Sequence, residues 1–219
     1  MATSAVLYIF TFNFKRMKAY NKILMIVAAL SLGLLFLFPM WKIYLEAPQY
    51  PEGLELHIWV NKLAGSSESV LQNFNILNHY IGMEPIHAES FKELKVMPYI
   101  IVFFMVTGVI IALIGRRRLV LYWTSLLMIA GAVGIVDFYM WLHKFGTNLN
   151  PQAPIKVPGM TYIPPLLGSK QLLNFEALSL PGLGSLGIFL AVLFAGLVYY
   201  FSRRSATDAA FNKHKSVLV

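Results

Sequence analysis

Four long apolar stretches separated by polar segments set the rhythm of this chain. They cover residues 23–41, 97–115, 119–142 and 183–201. Each falls within the roughly 17–25 residues that a helix needs to cross a bilayer. The polar remainder then divides into a basic segment at 1–22, a loop at 42–96, a tight turn at 116–118, a second loop at 143–182 and a tail at 202–219. Inside the first loop the pattern changes period. Leu54, Leu56, Ile58 and Val60 alternate with other residues, which predicts a half-buried strand over 54–60. Gly65, Ser66 and Ser67 predict a turn, with Ser67 as a helix cap. Val70, Leu71, Phe74, Leu77 and Ile81 then recur on one side of a helix expected at 70–80, which Gly82 and Pro85 should end. A second short helix at 89–96 should lead back to the membrane. The second loop holds six prolines and no clear period, a composition that suits a binding or docking surface better than a plain connector. The expected architecture is an all-α membrane protein, with four transmembrane helices and two extracytoplasmic loops, the first carrying a short strand and a helix.

Composition sharpens this picture. Hydrophobic residues make up 58% of the chain and charged residues 13%, about half the charge of a typical soluble domain. With no cysteine, disulfides, thiolate zinc sites, iron–sulfur clusters and c-type haem are excluded. The net charge of +8 matters through its distribution. Lys15, Arg16, Lys18 and Lys22 precede the first span, Arg116, Arg117 and Arg118 separate the second from the third, and Arg203, Arg204, Lys213 and Lys215 follow the fourth. The two large loops carry acids and bases in nearly equal number. By the positive-inside rule, both termini and the Arg turn face the cytoplasm of a bacterial inner membrane, and both loops face the periplasm. The basic excess therefore reads as topology, with lipid as the partner, and not as a nucleic-acid surface. The apolar run at 5–14 is too short to span, and basic residues follow it. It is expected to lie on the membrane surface and not to act as a cleaved signal.

Candidate chemistry concentrates at 75–87, where two asparagines, two histidines, a methionine and a glutamate crowd one polar stretch. His79 and Met83 are four apart, which on a continuous helix puts them on one face about 6 Å apart. An imidazole with a thioether suits copper(I). His87 and Glu84 could join if the chain folds back at Gly82 and Pro85. The alternative is a helix end with a buried methionine and hydrogen-bonding polar groups. A second group lies toward the outer end of the third span: Asp137, Met140 and Lys144 share a helix face, with Tyr139 and His143 beside it. Met140 or His143 could close a copper site formed by His79, Met83 and His87. Asp137 is expected to find a partner in Lys144 or a polar loop group, since a carboxylate in apolar surroundings is costly. Asn78, Tyr80, Asp137, Lys144 and Met160 are the candidates for structural or partner-docking roles. No intramembrane histidine pair suggests haem, and no nucleophile–base pattern suggests an enzyme.

Three strings carry a family resemblance: Ala47-Pro48-Gln49-Tyr50-Pro51-Glu52-Gly53-Leu54, Asn78-His79-Tyr80-Ile81-Gly82-Met83 and Asn150-Pro151-Gln152-Ala153-Pro154-Ile155-Lys156-Val157. Together they resemble small multi-span membrane proteins encoded with nitrous oxide reductase and its copper-maturation factors, which include the NosL copper chaperone. The resemblance implies copper handling, or help in assembling a periplasmic copper enzyme, with a periplasmic copper protein or chaperone as partner. The competing expectation is a metal-free structural subunit or docking platform in a larger membrane complex.

Overall fold

The computed structural model describes residues 17–217; the expected surface segment at 1–16 lies outside them. Four helices are long and apolar enough to cross a membrane. The first span is α1 (Ala19–Ser31), continued by the single turn α2 (Leu34–Leu37). The others are α4 (Lys92–Ile114), α5 (Arg117–Thr147) and α6 (Ser185–Val217). α1 contacts α4 and α6, and α5 contacts both of those in turn. Small side chains allow the close approach: Ala28, Ala29, Ala112, Ala191 and Ala195 are buried in the interior. Large apolar residues such as Ile23, Phe103, Val133 and Phe189 point outward. Larger side chains such as Met25, Leu32, Phe104 and Trp123 fill the rest of the interior, and the apolar outer surface suits a bundle whose solvent is lipid, where packing and not hydrophobic expulsion holds helices together. Polar clips tie one end: Met17 N–H donates to Gly115 O at 2.9 Å, and the Asn21 amide donates to Ser202 Oγ at 2.9 Å. Lys18, Lys22, Arg116 to Arg118, Arg203 and Arg204 gather at this same end.

The chain is not all-α. At the other end of the bundle the two loops fold together around a five-stranded antiparallel sheet, in the order β3-β2-β1-β5-β4. The strands are β1 (Trp41–Ala47), β2 (Tyr50–Ile58), β3 (Leu63–Gly65), β4 (Gly168–Leu172) and β5 (Phe175–Pro181). The expected strand at 54–60 overlaps the second half of β2, which starts earlier, at Tyr50, and ends at Ile58. β1 was not expected, although Trp41, Ile43, Leu45 and Ala47 alternate correctly. Their alternation follows span one without a break, so an apolar run hides it. β4 and β5 lie in the loop that shows no period. β1 pairs with β2 on one side and with β5 on the other, so Trp41 stands opposite both Ile58 and Pro181. One sheet therefore joins the two loops and places them on the same side of the bundle.

α3 (Val70–Ile81) packs on the sheet, close to its expected bounds. Its cap is Ser69 and not Ser67. A 3-10 turn, Ala88–Ser90, replaces the start of the second expected loop helix, and α4 begins at Lys92. α5 connects cap to bundle. Its 31 residues extend about 46 Å at ~1.5 Å per residue, some 15 Å more than the ~30 Å hydrocarbon layer. The excess carries Phe138, Trp141, Leu142 and Phe145 into the core between the sheet and α3. Aromatic contacts fasten the joint: Trp41 meets Phe138 at 5.6 Å, and Trp141 meets Phe91 at 4.8 Å and Phe145 at 4.5 Å.

Candidate functional site: the clasp between the two loops

The polar stretch at 75–87 is largely spent on its own fold. Gly82 sits in the left-handed region with φ +82°. Its N–H donates to His79 O, and the Met83 N–H donates to Asn78 O at 2.8 Å. This pair of bonds is the Schellman closure of a helix end, which needs a left-handed residue at the position Gly82 fills. The chain then doubles back on α3. Ile86 N–H donates to Asn75 Oδ1 at 2.7 Å, and the Asn75 amide donates to Ile86 O at 3.1 Å. Asn78, buried, reaches the carbonyl of Glu84 at 3.4 Å.

The second loop closes over this turn. Asn150 N–H donates to Gly82 O at 2.8 Å and Ile155 N–H donates to Tyr80 O at 2.9 Å. The Asn148 amide donates to the Glu84 carboxylate. A Cβ on Gly82 would meet Ala153 Cβ at 2.9 Å and Asn150 O at 3.0 Å, so the close approach also requires glycine. At Gly146 of α5 a Cβ would meet Ile163 Cα at 2.4 Å, and Tyr162 N–H donates to Gly146 O. Backbone contact at these two glycines seats the second loop against both α3 and α5.

This arrangement decides where each candidate residue goes. α3 ends before Met83, so the shared helix face expected for His79 and Met83 does not exist. His79 is exposed in the last turn, against the edge of Tyr80. Met83 turns inward, half-buried, against the core of the cap. His87 is exposed ahead of the 3-10 turn. Met140 and His143 are exposed on α5, where they line an open groove with Tyr139 and Lys144. Tyrosine, histidine and lysine at the outer end of a span match the amphipathic belt of a membrane interface. Met160 is half-buried against the same cluster of buried residues as Met83. Among the described residues no three His, Asp or Glu side chains converge to hold a metal. Of the five proposed copper donors, Met83 is half-buried while His79, His87, Met140 and His143 are exposed. Asp137 is half-buried and makes no ion pair with Lys144.

Other groups come together that the sequence reading did not single out. Lys42 and Tyr44 of β1 face Glu55 and His57 of β2 on the side of the sheet away from the core. Lys42 Nζ lies 2.6 Å from Glu55 Oε1, and His57 Nε2 lies 2.7 Å from the same oxygen. Burial works against the Glu55 charge, but Lys42, His57 and Tyr44 together outweigh it and hold the carboxyl down to about 2. The same contact raises Lys42 and Tyr44 above their ordinary values. Period-two alternation in both strands could have located this cluster, had β1 been legible.

The exposed surface of the clasp mixes polar side chains such as His79, Gln152 and Lys156 with apolar ones. Ile76 and Tyr80, one turn apart on α3, are 42% and 49% exposed, and Ile155 and Val157 beside them are 46% and 42% exposed. No protein-family model and no curated protein matches the chain.

Proposed function

We propose that this chain is a non-catalytic accessory protein of the bacterial cytoplasmic membrane, whose two periplasmic loops form one docking platform for a partner subunit. The observation that carries this reading is the set of exposed apolar side chains on both halves of the clasp, Ile76 and Tyr80 of one loop and Ile155 and Val157 of the other. Exposed apolar groups on a framework anchored by backbone bonds mark a protein contact more than a reactive centre. The orientation rests on charge: the basic residues gather at the end away from the cap, which the positive-inside rule assigns to the cytoplasm. The sequence resemblance suggests the partner, an assembly component of a periplasmic copper enzyme of the nitrous oxide reductase type. Of copper handling and a metal-free platform, the platform is favoured by the end of α3 at Ile81, which leaves His79 exposed and Met83 half-buried.

Co-purification from native membranes in mild detergent tests this. The wild type should carry a stoichiometric periplasmic or membrane partner and less than one copper per ten chains. The double variant Tyr80→Asp, Ile155→Asp should lose the partner while keeping wild-type thermal unfolding. Stoichiometric copper(I) on the isolated chain, lost in Met83→Leu and His79→Ala, would instead establish copper handling. Retention of the partner by the double variant would remove the clasp as the docking surface.

A further inference from the structure

The inner face of the sheet does not close completely on α3 and α5. A cavity of about 50 Å³ remains, walled by Leu56, Leu77, Met83, Leu142, Phe145 and their neighbours. Its walls are almost wholly apolar, and no charged side chain lines it. Of the three polar side chains in these walls, Asn78 donates to the carbonyl of Glu84, and two hydrogen-bond donors are left without a partner. Tyr162 is 1% exposed, and its hydroxyl has no partner. Trp141 also lines the cavity, and its indole N–H is buried without an acceptor. Folded proteins satisfy nearly all buried polar groups, so two orphaned donors at one cavity call for an acceptor that the chain does not supply.

We propose that this cavity binds a small neutral molecule of a few heavy atoms, apolar at one end and bearing a hydrogen-bond acceptor for the Tyr162 hydroxyl and the Trp141 indole at the other. Size bounds the ligand from both sides. About 50 Å³ exceeds the roughly 10–15 Å³ that one water needs and falls short of the ~150 Å³ cavity that admits benzene. An ion is excluded, because nothing in the walls would repay its desolvation. The cavity touches the sheet, α3, α5 and the second loop, so occupancy stabilises the whole cap by mass action. This site does not depend on the docking role of the clasp surface.

The test uses the full chain in lipid nanodiscs with ¹⁵N-labelled tryptophan. Trp41, Trp59, Trp123 and Trp141 give four indole resonances, and Trp141→Phe assigns the one of interest. The probe is acetonitrile, a methyl group with a single acceptor nitrogen. The Trp141 resonance should shift saturably while the other three stay in place. Affinity should be no tighter than about 1 mM, the ceiling for three heavy atoms. Tyr162→Phe should weaken binding about three- to tenfold. Ala177→Leu, which fills the cavity from the sheet, should abolish it. Unmoved resonances of the other tryptophans show that this variant folds; if they move, Ala177→Val takes its place. A linear shift, equal shifts at all four indoles, or saturation unaffected by the Tyr162 and Ala177 variants would overturn the proposal. So would a Trp141 indole that exchanges magnetisation with water and is not displaced by acetonitrile, which means that the cavity holds water alone.

Discussion

A single left-handed residue, Gly82, separates His79 from Met83. Had α3 continued, the two would share a face. The reversal at Gly82 leaves the imidazole outside and sends the thioether into the core. Alanine here would have to hold a positive φ and press its Cβ against Ala153 and Asn150. Strain of this kind costs on the order of 1–3 kcal/mol. Gly82→Ala should therefore destabilise the cap by about that amount and loosen the second loop, which limited proteolysis near residues 150–157 would register. Wild-type protection there would show that the two loops are not clasped through this turn. The asparagines of the same stretch follow similar logic. The side chains of Asn75 and Asn78 are occupied by backbone groups of Ile86 and Glu84, because a chain that doubles back strands polar groups that must be paired.

At the scale of elements, the sheet has two chemically distinct faces. Ile43, Leu54, Leu56 and Ala177 meet α3, α5 and the second loop, while Lys42, Tyr44, Glu55 and His57 lie opposite them. The ion cluster makes a checkable contribution. Glu55 titrates near 4.5 ordinarily and near 2 in the fold, so its pKa is depressed by folding. The stability it provides is complete above about 4.5 and is lost as pH falls toward about 2. Acid unfolding followed by tryptophan fluorescence should be steep in that interval for the wild type and flatter for Glu55→Gln. Identical acid limbs would mean that the cluster is solvated and contributes nothing. α5 is the other decisive element. Its length alone exceeds what the bilayer requires, and the surplus turns supply the aromatic residues that join cap to bundle.

For the whole molecule, the pairing of β1 with β5 settles that both loops lie on one side. The cysteine-free sequence makes the complementary test clean. Ser66→Cys should react with an impermeant maleimide in spheroplasts, and Arg204→Cys should react only after the membrane is opened. Reaction of both from the same side would overturn the four-span topology. Much of this frame was legible in advance. An apolar run of span length can be read from local sequence alone, since bilayer thickness fixes the length it must have. The second half of β2 and α3 were legible for the same reason, as their periods of two and 3.6 lie within a dozen residues; Tyr50 to Gly53, rich in turn residues, hid the first half of β2. The candidate site was legible only as a place: 75–87 does sit at the junction of the loops, but its metal-binding reading assumed a helix that Gly82 ends.

The sequence by itself determined four spans, the clustering of basic charge at one end, and the composition of the polar stretch at the clasp. These are sums over neighbouring residues, and each is imposed by a solvent: lipid for the spans, water for the loops. Tertiary structure decided the rest. The sheet depends on Trp41 pairing with Pro181, and most of the chain separates the two strands, so no local period reveals the match. The closure over Gly82 depends on Ala153 and Asn150 arriving from the second loop. The orphaned hydroxyl of Tyr162 depends on four elements leaving a gap between them. Each is a relation between distant segments, and it exists only once backbone hydrogen bonding and core packing have brought them together.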